Sequence, residues 1–180
     1  MKTENWVIDQ EQSRVVFKVQ KLIVNTITGN FRDFSGSLET FPDEPGTVKN
    51  ISFKARVDSL KTDDEQRDEH LRSADFFDAA VYPEITFSAT GFSVTKKAIT
   101  GELTIRHITK PIVFKVSLDH SLEDSDQINL KIYGKVDRND FGLTWNGVNK
   151  AGEFIVGDEI KLCADARFVK QATAVPEEVV

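Results

Sequence analysis

The sequence predicts an all-β protein, an extended eight-stranded antiparallel β-barrel with one short helix after the third strand. Roughly eight segments alternate apolar and polar residues with a period of two, which is typical of half-buried strands. Phenylalanine accounts for 13 of the 180 residues, and it supplies large apolar side chains without a polar group that needs a partner. A closed barrel of eight strands can just hold one small ligand. These observations favour a barrel over a sandwich of two sheets.

The alternating segments follow one another along the whole chain. They are residues 13–21, 31–41, 48–62, 84–94, 98–108, 112–118, 128–136 and 159–169. Short polar joints separate them, including Lys96–Lys97, Thr109–Pro111 and residues 123–127, so neighbouring strands are expected to pair as antiparallel hairpins. Gly29 and Gly36 suggest a bend or bulge.

Domain organisation is simple in this prediction. One domain covers residues 1–170, because no change of composition divides the chain into two parts. The tail, residues 171–180, has no pattern and is expected to be frayed.

A short helix is predicted after the third strand. Asp63 or Asp64 can cap its N-terminus, and residues 65–71 are mostly good helix formers. The charged segment from Arg67 to His70 is a solvated helix face, which is the simpler interpretation, a segment that gates a ligand, or a catalytic cluster. Nucleophilic catalysis would need a serine or cysteine held against the histidine, and no G-x-S-x-G motif marks such a serine.

Charge and composition argue against several functional classes. The chain carries 29 acidic and 23 basic residues, a net charge of -6, and its basic residues are scattered, so nucleic-acid binding is not expected. The lone Cys163 excludes an internal disulfide and a cysteine-based zinc site. His70, His107 and His120 do not have the spacing of metal ligands, and the glycines form no phosphate-binding loop. We therefore expect no metal and no cofactor.

The N-terminal residues do not have the pattern of a signal peptide, and no apolar run approaches the roughly 18 residues of a membrane-spanning helix. The expected location is cytoplasmic for the chain as given, or periplasmic if a leader has been removed.

A series of short motifs resembles the YceI-like, polyisoprenoid-binding proteins from Trp6 to about Phe168. The motifs are W-V-I-D (6–9), S-R-V-V-F-K-V (13–19), G-N-F-R-D-F-S-G-S-L (29–38), R-D-E-H-L-R-S-A-D-F-F-D (67–78), Y-P-E-I-T-F (82–87), G-E-L-T-I-R (101–106), T-K-P-I (109–112) and R-N-D-F-G-L (138–143). Each motif alone is modest, but their order and spacing together are specific.

This resemblance implies a lipocalin-like barrel whose apolar tunnel holds a long isoprenoid, quinone, fatty-acyl or similar lipid. It further implies a carrier or storage protein without catalytic residues, and it allows a homodimer and transient contact with a membrane.

The inward faces of the predicted strands supply the expected tunnel lining. These residues are Phe17, Val19, Lys21, Phe34, Phe53, Phe87, Leu103, Ile105, Phe114, Ile132 and Phe168, with Phe76, Phe77, Phe141 and Trp145 at the ends. Lys21 shares the face of Phe17 and Val19, where the resemblance implies a histidine. It either points inward near a tunnel mouth, which favours an anionic head group, or extends outward over the barrel surface.

Two other functional classes remain open. An enzyme would bring Arg67, Asp68, His70 and either Arg138 or Asp140 into one pocket with perturbed ionisation. A partner-binding module would have a packed interior and an exposed apolar patch. A lipid carrier requires a long open interior instead, so the geometry of the barrel core separates the three interpretations.

Overall fold

The computed structural model describes residues 2–22, 25–119, 126–147 and 155–172. Within these ranges the chain forms eleven strands and one α-helix, α1, which covers Glu65–Arg72. The strands are β1 (Glu4–Ile8), β2 (Arg14–Lys21), β3 (Asn25–Phe31), β4 (Phe34–Thr40), β5 (Thr47–Arg56), β6 (Leu60–Lys61), β7 (Glu84–Ser93), β8 (Ala98–Ile105), β9 (Ile108–Asp119), β10 (Gln127–Asp137) and β11 (Val156–Lys170).

The strands form one antiparallel barrel, which closes where β1 pairs with β11. β1 and β2 follow each other along the same edge of β11, since Ile8 lies opposite Phe168 and Phe17 lies opposite Leu162. β3 with β4, and β5 with β6, are likewise consecutive segments of the second and third positions in the barrel. The described strands therefore occupy eight positions, and the predicted eight-stranded closed barrel is confirmed.

The sequence prediction omits β1 and β3, which extend its first two strands, and it joins β5 and β6, which a turn at Val57–Ser59 separates, into one third strand. β6 is two residues long, and β1 places only two side chains in the core. β3 is mostly polar, and its inward face consists of Ile27, Gly29 and Phe31. Because glycine has no side chain, it weakens the alternation from which a strand is recognised.

The hairpin between β8 and β9 lies earlier than predicted. Its turn is Arg106–His107, and the predicted joint Thr109–Pro111 belongs to β9. Pro111 pairs opposite Glu102, whereas the described pairing of β9 with β10 covers residues 115–119. The proline thus lies where β9 has one neighbouring strand, and strand edges tolerate the missing backbone donor.

Helix α1 covers part of one end of the barrel. Asp64 caps it by accepting a hydrogen bond from the backbone N–H of Arg67 at 3.0 Å. Asp68, which is 2% exposed, accepts hydrogen bonds from the backbone N–H of Thr62 at 2.9 Å and from the Thr62 hydroxyl. The prediction of a fully solvated helix face is therefore wrong for Asp68, which ties the helix to the end of β6. No helix in the described ranges is long and apolar enough to cross a membrane.

The opposite end of the barrel is closely packed apart from a small cavity of about 80 Å³, and we call it the packed end. Its core consists of Trp6, Leu38, Val48, Ile128 and Leu130, all at most 5% exposed. The indole N–H of Trp6 donates to the hydroxyl of Thr40 at 2.9 Å, which satisfies the one polar atom of this cluster. β11 continues to Lys170 beside this end, and residues 173–180 lie outside the described ranges.

Candidate functional site

A cavity of about 590 Å³ extends from the middle of the barrel to the end covered by α1. Pockets that hold small molecules have volumes of about 300–1,000 Å³. Apolar side chains on the inward faces of β2, β3, β5 and β7 to β11 form most of the wall. Among the described wall residues, the exposed ones are Lys21, Asp64, Gln66 and Trp145. The cavity therefore opens to solvent at this end, and we call these four residues, together with Arg67 and His70, the mouth.

The cavity stays open because three phenylalanine rings lie against glycines of neighbouring strands. A Cβ atom added to each glycine would be 2.2, 2.3 or 2.5 Å from the nearest ring carbon, far inside van der Waals contact. The pairs are Gly29 with Phe17, Gly134 with Phe114 and Gly101 with Phe87. Each ring uses the space that a side chain would fill on the neighbouring strand, so the rings line the wall and leave the centre free.

Gly29 serves this close packing and does not mark a bulge. The pairing of β2 with β3 runs without a register shift from Val15 to Lys21, with Gly29 opposite Phe17. The bulge predicted at this position is therefore wrong. The physical requirement is close approach of a ring to the backbone, which glycine alone permits.

All predicted lining residues except Phe34 lie on the cavity wall. Phe34 faces inward and is 5% exposed, but its ring packs behind that of Phe53, with a centroid distance of 6.0 Å. It supports the wall without forming it. Lys21 lies at the mouth, as the inward alternative expected. That these side chains bind a ligand stays a prediction.

The sequence analysis missed several wall residues. Phe31 and Ile27 belong to β3, which was not recognised as a strand. Gln66 and Leu71 reach the wall from α1. The alternation through Ile27, Gly29 and Phe31 is a signal that could have identified the first two, provided that glycine is counted as an inward position.

Aromatic and polar side chains meet at the mouth. The ring of His70 contacts Trp145 edge-on, with centroids 4.5 Å apart, and Phe76 at 5.2 Å. Nε2 of His70 lies 2.9 Å from a carboxylate oxygen of Asp75. One side of the mouth is therefore a small aromatic cluster joined to the C-terminal half of α1.

Arg138 holds the loop that carries Trp145. Its side chain is 3% exposed and donates hydrogen bonds to the backbone carbonyls of Trp145 at 2.8 Å, Gly157 at 2.9 Å, and Leu143. Burial lowers the pKa of the Arg138 guanidinium from its ordinary value, and the nearby Asp158 opposes this change. Because arginine stays protonated in proteins, these charge-assisted bonds position Trp145 at the mouth.

Of the candidate catalytic residues, Arg67, His70 and Arg138 line the same cavity, whereas Asp68 and Asp140 do not. Asp68 bonds to Thr62, His70 pairs with Asp75, and Arg138 bonds to backbone carbonyls, while Asp140 is exposed. Asp68 and His70 thus make contacts that stabilise α1 and its surroundings, and Arg138 stabilises the loop at the mouth.

No group of three metal-binding side chains occurs in the described part of the chain. The ring of His107 lies 5.7 Å from that of Tyr82, and His120 is outside the described residues.

Comparison with known proteins identifies the family. The YceI-like domain family matches residues 6–168. This chain belongs to the YceI-like family. A UPF0312 protein of Staphylococcus aureus is 29% identical over 168 residues, which cover 91% of this chain and 96% of the relative.

Solved structures share the barrel of this YceI-like protein. BcnA of Burkholderia cenocepacia matches with a TM-score of 0.74 and 20% identity, over 92% of this chain and 99% of its own. A YCEI protein of Campylobacter jejuni matches with a TM-score of 0.66 and 25% identity, over 86% and 90%. A polyisoprenoid binding domain from Saccharophagus degradans matches with a TM-score of 0.70 and 13% identity, over 92% and 98%. These matches confirm the predicted fold, and the family favours a binding protein over an enzyme.

Proposed function

We propose that this protein binds and carries a long-chain isoprenoid or similar amphiphilic lipid in the barrel cavity. The observation that carries this proposal is the apolar cavity of about 590 Å³ that is closed at the packed end and open at the mouth. An apolar wall offers water few hydrogen-bonding partners, so an apolar ligand fits the space better than ordered water does. A packed interaction module would have no such space, which argues against that alternative.

The energetics of such a site favour long chains. Each methylene removed from water contributes about 0.8 kcal/mol, whereas the loss of translational and rotational freedom is incurred once per ligand. Two additional methylenes therefore raise affinity by roughly tenfold as long as the cavity has room for them. The cavity should therefore select ligands by the length of their apolar chain. Binding of that chain requires few polar contacts along most of the wall.

Exposed apolar residues beside the mouth support exchange of the lipid at a membrane surface. Leu22 and Trp145 are each 39% exposed. Leu22 donates its backbone N–H to the carbonyl of Ile155 at 2.7 Å, and Ile155 lies next to the loop of Trp145 through its hydrogen bond to Gly147. Tryptophan and leucine at a protein rim are suited to the interface between lipid and water. Transport of the lipid and the formation of a dimer stay predictions.

The first test is to purify the protein without detergent, extract it with organic solvent, and identify the extract by mass spectrometry beside native mass spectrometry of the complex. We expect a stoichiometric polyprenyl, quinone or fatty-acyl compound. After delipidation, the protein should take up added long-chain lipids with an affinity that rises with chain length. A lipid-free protein that also refuses added lipids would overturn the proposal and would favour a partner-binding module.

A further inference from the structure

The charge of the cavity wall has the opposite sign from that of the whole chain. The described wall contains the basic residues Lys21, Arg67, His70 and Arg138, and one acidic residue, Asp64. The chain as a whole carries a net charge of -6. Positive charge is thus concentrated where the apolar cavity meets solvent.

Two of these basic groups have no anionic partner among the residues that the structure describes. In the described part of the chain, no carboxylate lies within ion-pair distance of Lys21 or Arg67, and the side chain of Lys21 makes no hydrogen bond. Arg67 donates from Nε to the hydroxyl of Thr62 at 2.8 Å and from Nη2 to its carbonyl, both neutral acceptors. Its Nη1 has no hydrogen-bonding partner among the described residues.

The other titratable side chains of the wall already have partners. His70 lies 2.9 Å from Asp75, and Arg138 bonds to backbone carbonyls with Asp158 at 3.8 Å. A carboxylate oxygen of Asp64 accepts the backbone N–H of Arg67 at the start of α1. Within the described ranges, the unpaired charges at the mouth are therefore those of Lys21 and Arg67.

We infer that the mouth selects lipids with an anionic head group, a carboxylate or a phosphate monoester, through Lys21 and Arg67; this inference rests on the proposed lipid-binding function. An anion at the mouth would meet two cations beside a cavity of low dielectric, where charge attraction is stronger than in water. Arginine can bind a carboxylate or phosphate by two parallel hydrogen bonds, and lysine acts as a point charge. A neutral alcohol or phenol head gains neither interaction.

The test compares ligands that differ only in the head group. Delipidated protein is titrated at mildly alkaline pH with hexadecanoate and hexadecanol, and with geranylgeranyl monophosphate and geranylgeraniol. We expect the anionic member of each pair to bind more tightly. Lys21→Gln should weaken the anionic ligands by about two- to fivefold, since an exposed ion pair is weak, and Arg67→Gln by roughly tenfold, since charge-assisted hydrogen bonds are stronger. Neither change should weaken the alcohols.

Lys18→Gln is the matched control, because Lys18 is exposed on the outer face of the same strand, away from the cavity wall. Arg67 also donates hydrogen bonds to Thr62, so the stability of Arg67→Gln is compared with that of the unmodified protein by thermal melting. The side chain of Lys21 makes no such contact among the described residues, so Lys21→Gln tests the inference independently of folding. Equal binding of acids and alcohols, with no effect of Lys21→Gln, would overturn the head-group inference and leave the carrier proposal standing. Failure of all four ligands to bind would overturn both.

Discussion

The two ends of the barrel have the same strand pattern and opposite interiors. At the packed end, Trp6, Leu38 and Leu130 belong to the buried core and are at most 5% exposed. Towards the mouth, inward residues such as Phe17 and Phe114 lie against glycines and leave a cavity. The difference shows that an inward side chain fills the centre of the barrel unless a glycine on the neighbouring strand lets it lie against the wall. Stability and ligand binding are therefore expected to depend on different ends of the barrel.

The largest expected effect is the loss of ligand from a charge placed in the cavity. Phe53 forms part of the cavity wall, so Phe53→Glu would put a carboxylate where the lipid chain lies, and burial of an unpaired charge is strongly unfavourable. We expect complete loss of bound lipid in extraction and mass spectrometry. Ser52→Glu, exposed on the outer face of the same strand, is the control and should retain lipid. Retention of lipid by Phe53→Glu would show that the ligand lies elsewhere.

The packed end should carry more of the stability than the cavity wall does. Leu38 is 2% exposed, and Leu38→Ala should lower the free energy of unfolding by about 2–5 kcal/mol. Ile132 is half-buried beside the cavity, so Ile132→Ala should cost about 1 kcal/mol, since its removal enlarges an existing space. Urea unfolding of both delipidated variants measures the difference. Equal losses would contradict the division of the barrel into two functional ends.

A smaller effect on ligand binding is expected from replacing a glycine against which a phenylalanine ring packs. In Gly29→Ala the new methyl group would collide with the ring of Phe17, which must turn into the cavity. We expect the longest ligands to lose about tenfold in affinity, equivalent to roughly two methylenes of cavity length, while short ligands are unaffected. The double variant with Phe17→Leu should recover long-chain binding. Unchanged chain-length preference in Gly29→Ala would show that the ring does not define the cavity.

The smallest effect concerns acid stability near the packed end. The hydrogen bond from Lys49 at 3.0 Å, followed by that from Asn50, holds the pKa of Glu39 below its ordinary value of 4.5. This depressed pKa stabilises the fold above the ordinary pKa, and the stabilisation is lost as pH falls through the lower folded value. In Lys49→Met the pKa of Glu39 should lie closer to its ordinary value. The free energy of unfolding should therefore decrease less on acidification than it does in the unmodified protein, and ligand binding should be unchanged. Urea unfolding between neutral and acid pH measures it, and an unaltered pH dependence would contradict the assignment.

Much of the cavity wall could be predicted from the period-two pattern. Phe53, Phe87 and Leu103 were placed correctly because a strand sends alternate residues to one face. Phe34 was placed on the wall and lies behind Phe53, since periodicity identifies the face and does not tell which inward side chain stands nearer the centre. The omission of β3 has a related cause, because Gly29 interrupts the apolar alternation while filling an inward position.

At the mouth, too, the sequence pattern does not show which polar residues reach the cavity. Arg67 and Asp68 are neighbours in the sequence, yet one reaches the cavity wall and the other is buried against Thr62. Their roles depend on how α1 is rotated against the end of β6. The position of Trp145 depends on hydrogen bonds from Arg138 to backbone carbonyls, and no sequence motif marks such bonds.

The sequence by itself determined the all-β class, the inward faces of the main strands and the apolar character of the interior, because these follow from local alternation and composition. The tertiary structure decided that β1 and β11 close the barrel, that rings such as Phe17 lie on glycines across strand pairs, and that Lys21 and Arg67 share one mouth. Each of these depends on register between segments far apart in the chain. Local periodicity fixes the direction in which a side chain points, and register alone determines what it meets.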